Sequence, residues 1–310
     1  MSENNNTATA VIPPKKKSQF LDIWRRFKKS RTALIGLFLI TVLLLTALFA
    51  DIIAPPVVIE LSGDRDDIVI PLAEYQDLTN DRAFPSAEHW FGTDSLGRDI
   101  FARVVHGARI SLMVGVIVVG IAGVIGITLG AIAGFYGGVS DNIIMRIIDV
   151  MLAIPNILLA ISIAAALGGG LVNVMIAVGI GSIPGFARIV RSSVLTIKDQ
   201  EFIEAARSIG ASDFRLIIRH IIPNCMAPII VNSTMGMANA ILNAAGLSFI
   251  GLGIQPPTPE WGAMLSEGRQ IMVEFWPVAV FPGMAIALTI LGFNLLGDGL
   301  RDALDPRLKR

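Results

Sequence analysis

The chain has 310 residues, 53% of them hydrophobic and only 16% charged, with a mean hydropathy of +0.67. Soluble domains carry about 25% charged residues, so an ordinary soluble globule is excluded and an all-α integral membrane protein is indicated. The formal net charge is zero and the single cysteine, Cys225, rules out an internal disulfide or a multi-cysteine metal site. No cofactor, metal or nucleic-acid partner is expected, and Cys225 reads as a packing residue.

In chain order, residues 1–31 form a tail whose Asn/Thr-rich start is predicted to be disordered and whose end carries Lys15, Lys16, Lys17, Arg25, Arg26, Lys28, Lys29 and Arg31. The first span is predicted over residues 32–53, without a small-residue cleavage site, as a retained signal anchor. Residues 54–107 follow as a segment outside the membrane. From Asp51 to His106 it carries ten acidic residues besides Asp51 against four arginines, and Pro55, Pro56, Gly63 and Pro85 mark irregular structure.

Five further spans are predicted within residues 108–300, because each uncharged run reaches the ~20 residues that cross 30 Å of hydrocarbon. Span two covers 110–136 and carries Gly126, Gly130, Gly134 and Gly138 at steps of four, a smooth stripe for close helix packing, with gating as the alternative. Span three follows a turn at 137–144 and reaches Leu167, with a kink expected at Pro155. Gly168, Gly169 and Gly170 separate it from span four, 172–189. Asp149 is expected to pair with Arg146 along the helix. Span five runs from Pro223 to Gly246, span six closes at Gly297, and Trp261 and Trp276 between them read as interfacial aromatics.

On span five, Asn232, Gly236, Asn239 and Asn243 recur at i, i+4, i+7 and i+11 on one narrow polar face. Uncharged hydrogen-bonding groups suit a path for a polar backbone; hydrogen bonds to a partner helix are the alternative. Arg188, Arg191, Lys198, Arg207, Arg215 and Arg219 precede this span, and Arg301, Arg307, Lys309 and Arg310 end the chain. The positive-inside rule therefore puts both termini, and residues 191–223, in the cytoplasm, which requires an even number of spans.

That cytoplasmic segment is the most ordered polar stretch of the chain. Phe202, Ala206 and Ile209, then Phe214, Ile217, Ile218 and Ile221, give two short amphipathic helices hinged at Gly210. Asp199 is expected to cap the first, Gly210 to end it in the left-handed region, and Ser212 or Asp213 to cap the second. Ala205 and Ala206 leave room for a partner's surface. An elbow of this kind, between two spans, is built to be docked upon.

Enzyme motifs are missing. No Gly-Lys pair exists, so no P-loop binds nucleotide here, and His89, His106 and His220 are scattered with no zinc-protease or nucleophile-elbow motif. The span interiors are essentially uncharged, which argues against ion-coupled transport. Catalysis on this chain is not expected.

The spacing Glu204-Ala205-Ala206, Gly210, Pro223 resembles the EAA loop of permease subunits of bacterial ABC importers, with His220 and Ile222 where the family usually has Ile and Leu. Phe91 to Asp94, Gly97 to Asp99, Gly107 to Leu112, Asp141 to Arg146, Gln255 to Gly262 and the tail from Asn294 to Lys309 are similar to the dipeptide and oligopeptide subfamily, nearest to the second permease of a dipeptide importer. The insertion between Pro56 and Pro85 is the least familiar part. The resemblance implies a type I ABC importer transmembrane domain in the bacterial plasma membrane. It also implies partners: a homologous second permease, two ABC ATPases and an extracytoplasmic binding protein. Glu204, Ala205, Ala206, Arg207, Gly210, Asp213, Arg215 and Pro223 would then form the ATPase-coupling loop, and dipeptides or short peptides would be the cargo. Nickel, glutathione or other oligopeptides are alternatives within the class, and an ATP-independent channel or secondary transporter is the alternative outside it.

Overall fold

A computed structural model describes residues 19–59 and 68–304. The expectations placed on 1–18, on 60–67 within the insertion and on 305–310 lie outside the described residues. Short helix α1 (Gln19–Phe27) precedes α2 (Arg31–Leu48), whose N-cap Ser30 accepts from the Ala33 amide at 3.3 Å. A break at Phe49 separates α2 from α3 (Ala50–Ile53), so the first predicted span is two helices in succession. The insertion holds a two-stranded antiparallel hairpin, β1 (Val57–Ile59) and β2 (Ile68–Ile70), with Val58 opposite Val69.

Helix α4 (Ile100–Tyr136) starts ten residues before the span predicted at Ile110. Asp99 caps it by accepting from the Ala102 amide at 2.8 Å. Arg103, His106 and Arg109 hid this extension from a hydropathy reading. At 1.5 Å per residue its 37 residues reach ~55 Å, well beyond the hydrocarbon.

The predicted kink at Pro155 is larger than a kink. Helices α5 (Gly138–Ala153) and α6 (Asn156–Leu167) meet at 90°, with Ile154 extended, as the residue before a proline prefers. Helix α7 (Leu171–Ile197) overruns the predicted end at Ile189 by two turns and carries Pro184 inside it. The elbow follows as α8 (Glu201–Ser208), α9 (Asp213–Leu216), a π turn (Ile217–Ile221) and α10 (Ile222–Asn224). The stretch Asp213–Asn224, from α9 through α10, meets α11 (Met226–Phe249) at 65°. The wide turn lies just before Pro223, which lacks an N–H and whose ring would clash with the carbonyl four residues back in an α-helix.

Beyond α11, Glu260 caps α12 (Trp261–Gly268) by accepting from the Gly262 and Ala263 amides at 2.9 and 2.8 Å. Burial pushes its carboxyl above the usual range, against these two bonds. Trp261 is not interfacial: it is 1% exposed and donates Nε1–H to the Val104 carbonyl. Trp276, by contrast, is exposed. Helix α13 (Pro277–Leu304) closes the fold and packs along α2, where a Cβ on Gly36 would lie 2.9 Å from the Gly292 carbonyl.

Among the described residues, four helices (α2, α4, α7 and α13) are each long and apolar enough to cross a membrane, and the count rises to six when each bent pair is one span. The core runs between α4, α7 and α11. Its tightest contact is the face of α4 bearing Gly126, Gly130 and Gly134: a Cβ on Gly126 would lie 2.5 Å from the Phe186 Cβ, one on Gly130 would overlap the Ala187 carbonyl, and one on Gly134 would lie 2.8 Å from the Val194 Cβ. Gly138 departs from this stripe. It opens α5 at φ +53° with nothing near it.

Without a hydrophobic drive between helices in lipid, such backbone approach is what holds them together. Gly130→Val is therefore expected to destabilise the purified protein in detergent by ~1–3 kcal/mol, the overpacking range, or to abolish folding. Gly120→Ala, where nothing lies within 4 Å, should be neutral or slightly stabilising. Thermal denaturation of both variants checks this pair; equal melting temperatures would remove the close-packing account.

Candidate functional site

The elbow is held by one face. Ile203, Ala206, Leu216 and Ile221 are buried against Ala131 and Phe135 of α4, Val190 and Val194 of α7, and Cys225 and Ile229. The apolar side predicted from spacing is only partly this one. Ala206, Ile217 and Ile221 face inward, whereas Phe202 is 41%, Ile209 87% and Phe214 76% exposed, and Ile218 is also exposed. For Ile209 the cause is that α8 ends at Ser208, which leaves it in the turn; within α8 it is Ile203 and Ala206, not Phe202, that are buried.

Gly210 takes φ +86°, with its amide bonded to the Arg207 carbonyl and the Ala211 amide to Ala206. That left-handed turn reverses the chain. The predicted N-cap Asp199 is replaced by Gln200, which makes no side-chain cap bond; Ser212 takes the N-cap position of α9, also without one. Glu204, Ala205, Arg207, Asp213, Arg215 and Pro223 are all exposed. The Arg207 guanidinium lies 5.7 Å from the centre of the Phe135 ring, a contact that ties α8 to the end of α4.

Two ion pairs clip α5 to α7 just before the elbow. Arg191 forks onto Asp141, at 2.5 and 2.6 Å, and Arg188 meets Asp149 at 2.6 Å. The partner expected for Asp149, Arg146, is on its own helix. The tertiary fold supplies Arg188 instead, since α5 lies across the elbow end of α7. Sequence gave no signal for pairs separated by 39 and 50 residues.

The asparagine face of α11 is turned only partly from the core, since a Cβ on Gly236 would meet Val119 of α4 at 3.4 Å and Phe186 of α7 at 3.9 Å. Asn239 is exposed, Asn232, Gly236 and Asn243 are half-buried, and none of the three amides makes a side-chain hydrogen bond among the described residues. Asn232 floors a cavity of about 430 Å³ between the elbow-side ends of α7, α11 and α13, with Ile189, Met235 and Arg301 around it. Unpaired amides are costly in hydrocarbon, so this face demands water, cargo or another protein.

At the opposite end of α4 lies a cluster that spacing did not reveal. Arg98 is 2% and Arg103 1% exposed; Arg98 donates to Asp94 at 2.7 Å and to Glu267 at 2.6 Å, and Arg103 to Glu267 at 3.2 Å. Arg103 also reaches the carbonyls of Ala73 and Pro257, both at 3.4 Å. Two arginines and two carboxylates thus lock α4, α12 and the segment before α4 together. Arg98 stands in the Gly97 to Asp99 motif and Arg103 in none; Glu267, more than 160 residues from both, could not be assigned to them from spacing. Among the described residues, no three His, Cys, Asp or Glu side chains converge to hold a metal ion.

Comparison with known proteins agrees with this architecture. A family described as "Binding-protein-dependent transport system inner membrane component" matches residues 126–310, and the "N-terminal TM domain of oligopeptide transport permease C" matches residues 18–66. The glutathione transport system permease protein GsiD of Escherichia coli O6:K15:H31 (strain 536 / UPEC) is 51% identical over 304 residues, covering 98% of this chain and 96% of that protein. The protein of the same name from Shigella boydii serotype 4 (strain Sb227) matches to the same extent. Among solved structures, the MetNI methionine ABC transporter in inward-facing conformations aligns with TM-score 0.55 at 18% identity, over 66% of this chain and 98% of that one. At that identity the likeness shows the fold alone, that of a type I importer transmembrane domain. The chain belongs to the binding-protein-dependent transport system inner membrane components, as an ABC importer permease of the peptide and nickel family.

Proposed function

We propose that this chain forms half of the translocation path of an importer for short peptides, with glutathione the first cargo to test, and that its elbow is the contact through which ATP hydrolysis on partner subunits drives the path. The observation that carries the reading is the outward display of Phe202, Ile209 and Phe214 on an elbow whose other face is fixed to α4 and α7. An apolar ridge between exposed charges, beside the small side chain of Ala205, is suited to a groove on another protein. The substrate reading draws on the curated relatives, which are named for glutathione. The sequence resemblance pointed first to dipeptides, and both cargoes are short peptides.

In this scheme the elbow, residues 191–223, and both termini face the cytoplasm, where two ABC ATPases dock. A homologous second permease covers the asparagine face of α11, and an extracytoplasmic binding protein delivers cargo in the bacterial plasma membrane. Closure of the ATPases moves the elbow as a rigid lever, because Ile203, Leu216 and Ile221 bind it to the ends of α4 and α7. Helices α7 and α11, which flank it, then rock between two arrangements. The uncharged amides of Asn232, Asn239 and Asn243 hydrogen-bond the passing peptide without holding it as a charge would. Nothing on this chain performs chemistry.

Two outcomes are expected. In reconstituted complexes, Phe214→Asp and Glu204→Arg should leave the chain inserted but weaken ATPase association by tenfold or more, about 1.4 kcal/mol. Gly210→Val, which forces a β-branched residue into the left-handed region at a cost of ~1–2 kcal/mol, should uncouple hydrolysis from uptake. Normal uptake and normal stimulation by loaded binding protein in all three would refute the coupling role. For the path, Asn239→Leu should cut uptake severalfold while the assembled complex still hydrolyses ATP; unchanged transport in an intact complex would return this face to helix packing.

A further inference from the structure

Residues 71–99, between β2 and α4, fold into a lobe tied together by hydrogen bonds inside and carrying exposed large apolar side chains among acidic ones outside. Asp77 caps a turn at Leu78–Asn80, its carboxylate accepting from the Thr79 backbone amide at 3.1 Å, the Thr79 hydroxyl at 2.6 Å and the Asn80 side-chain Nδ2 at 2.8 Å. Buried Thr93 accepts from the Ala83 amide at 2.9 Å and donates to the Asn80 carbonyl. Asp94 beside it accepts from the amides of Leu96 and Arg98 and belongs to the ion cluster on α4 and α12.

On this framework Leu78 is 68%, Phe84 56% and Trp90 63% exposed. The rings are not loose, since Phe84 stands edge-on against Phe275 at 4.9 Å and Trp90 lies 4.9 Å from Phe101. Between them Arg82 takes φ +53°, a strained conformation for a non-glycine residue, held by its amide on the Asp94 carbonyl and its side chain on Asp81. From Glu74 to Trp90 the charges are Glu74, Asp77, Asp81 and Glu88 against Arg82 alone, four acids to one base.

Depth decides what such a surface meets. Arg109 marks the rim of the apolar spans, bonded to the Ala47 carbonyl at 2.5 Å and to Asp51 at 2.9 Å. Phe101 stands eight residues further along α4, ~12 Å beyond that rim, while the headgroup layer is only ~5–8 Å deep on each side. Trp90, whose ring lies tilted against Phe101 at 4.9 Å, shares that depth and stands clear of the hydrocarbon.

We propose that the Leu78–Phe84–Trp90 face is a preformed docking surface for the extracytoplasmic binding protein, which engages it with an apolar patch ringed by lysines or arginines. The inference rests on the importer reading above. It adds the footprint and the sign of the charge, and the buried Asp94, Arg98, Arg103 and Glu267 cluster carries the docking force into α4 and α12.

The test uses the complete complex in lipid nanodiscs with purified cognate binding protein loaded with glutathione or another short peptide. For Trp90→Ala, and for the doubly reversed Asp81→Lys/Glu88→Lys, the binding-protein concentration giving half-maximal ATPase stimulation should rise at least tenfold, with unstimulated hydrolysis unchanged. In the wild type this concentration should rise with salt between 50 and 300 mM, the mark of charge attraction, and the reversed variant should lose that slope. Wild-type values in both variants would overturn the proposal. So would quenching of a fluorophore at Trp90→Cys, in a Cys225→Ser background, by headgroup spin-labelled lipid in the resting complex, which would assign the face to the membrane. A wild-type complex that no loaded binding protein stimulates would instead sink the importer reading itself.

Discussion

The close approach of α4 and α7 is the constraint on which the remaining structure depends. Two apolar helices in lipid gain nothing from hiding apolar surface from one another, so they associate by fit, and fit at short range requires the absence of side chains. Gly126, Gly130 and Gly134 supply that absence along three turns of α4, and the backbone of α7 from Ile183 to Val194 fills it. Because these helices are locked, their elbow-side ends form one platform of Ala131, Phe135, Val190 and Val194. The elbow rests on that platform, and a force applied there enters two helices at once.

Charge is confined to the two ends of this rigid pair and is treated differently at each. At the elbow end, Arg191 with Asp141 and Arg188 with Asp149 are partly exposed clips between neighbouring helices. Their stabilisation is modest; their effect is to fix how α5 crosses α7. At the lobe end, Arg98 and Arg103 are almost fully buried, where an unpaired charge would be very costly. Both therefore pair with the same two carboxylates, Asp94 and Glu267, and removal of either would leave two buried guanidinium groups sharing one counter-charge.

The elbow and the lobe share a design. Each is short, irregular chain that turns one face into a tight local core and displays aromatic or branched apolar side chains on the other. Phe202, Ile209 and Phe214 do this at one end of the molecule, and Leu78, Phe84 and Trp90 at the other. Each has a backbone in the left-handed region at its bend, Gly210 and Arg82. Between these two surfaces run α4, α7 and α11, the last with three side-chain amides that find no partner among the described residues.

How much of this was legible beforehand follows from the range of each interaction. Spans, their number when bent pairs are joined, the elbow and its Gly210 turn are properties of runs of ten to twenty residues, and the sequence by itself determined them, because hydropathy and left-handed backbone are local. It also carried the glycine stripe, since periodicity is local, though Gly138 fell out of it once the chain turned. What only the tertiary structure decided depends on which distant side chains meet. The helical periodicity placed Phe202 and Ile209 inward; Ile209 left the face when α8 stopped at Ser208, and within α8 the platform beneath took Ile203 and Ala206 rather than Phe202. Trp261, assigned to an interface, was taken into the core by the Val104 carbonyl. Asp149 chose Arg188, and Arg98 and Arg103 found Glu267, because α5 and α12 were brought across α7 and α4 by packing that no spacing in the chain encodes.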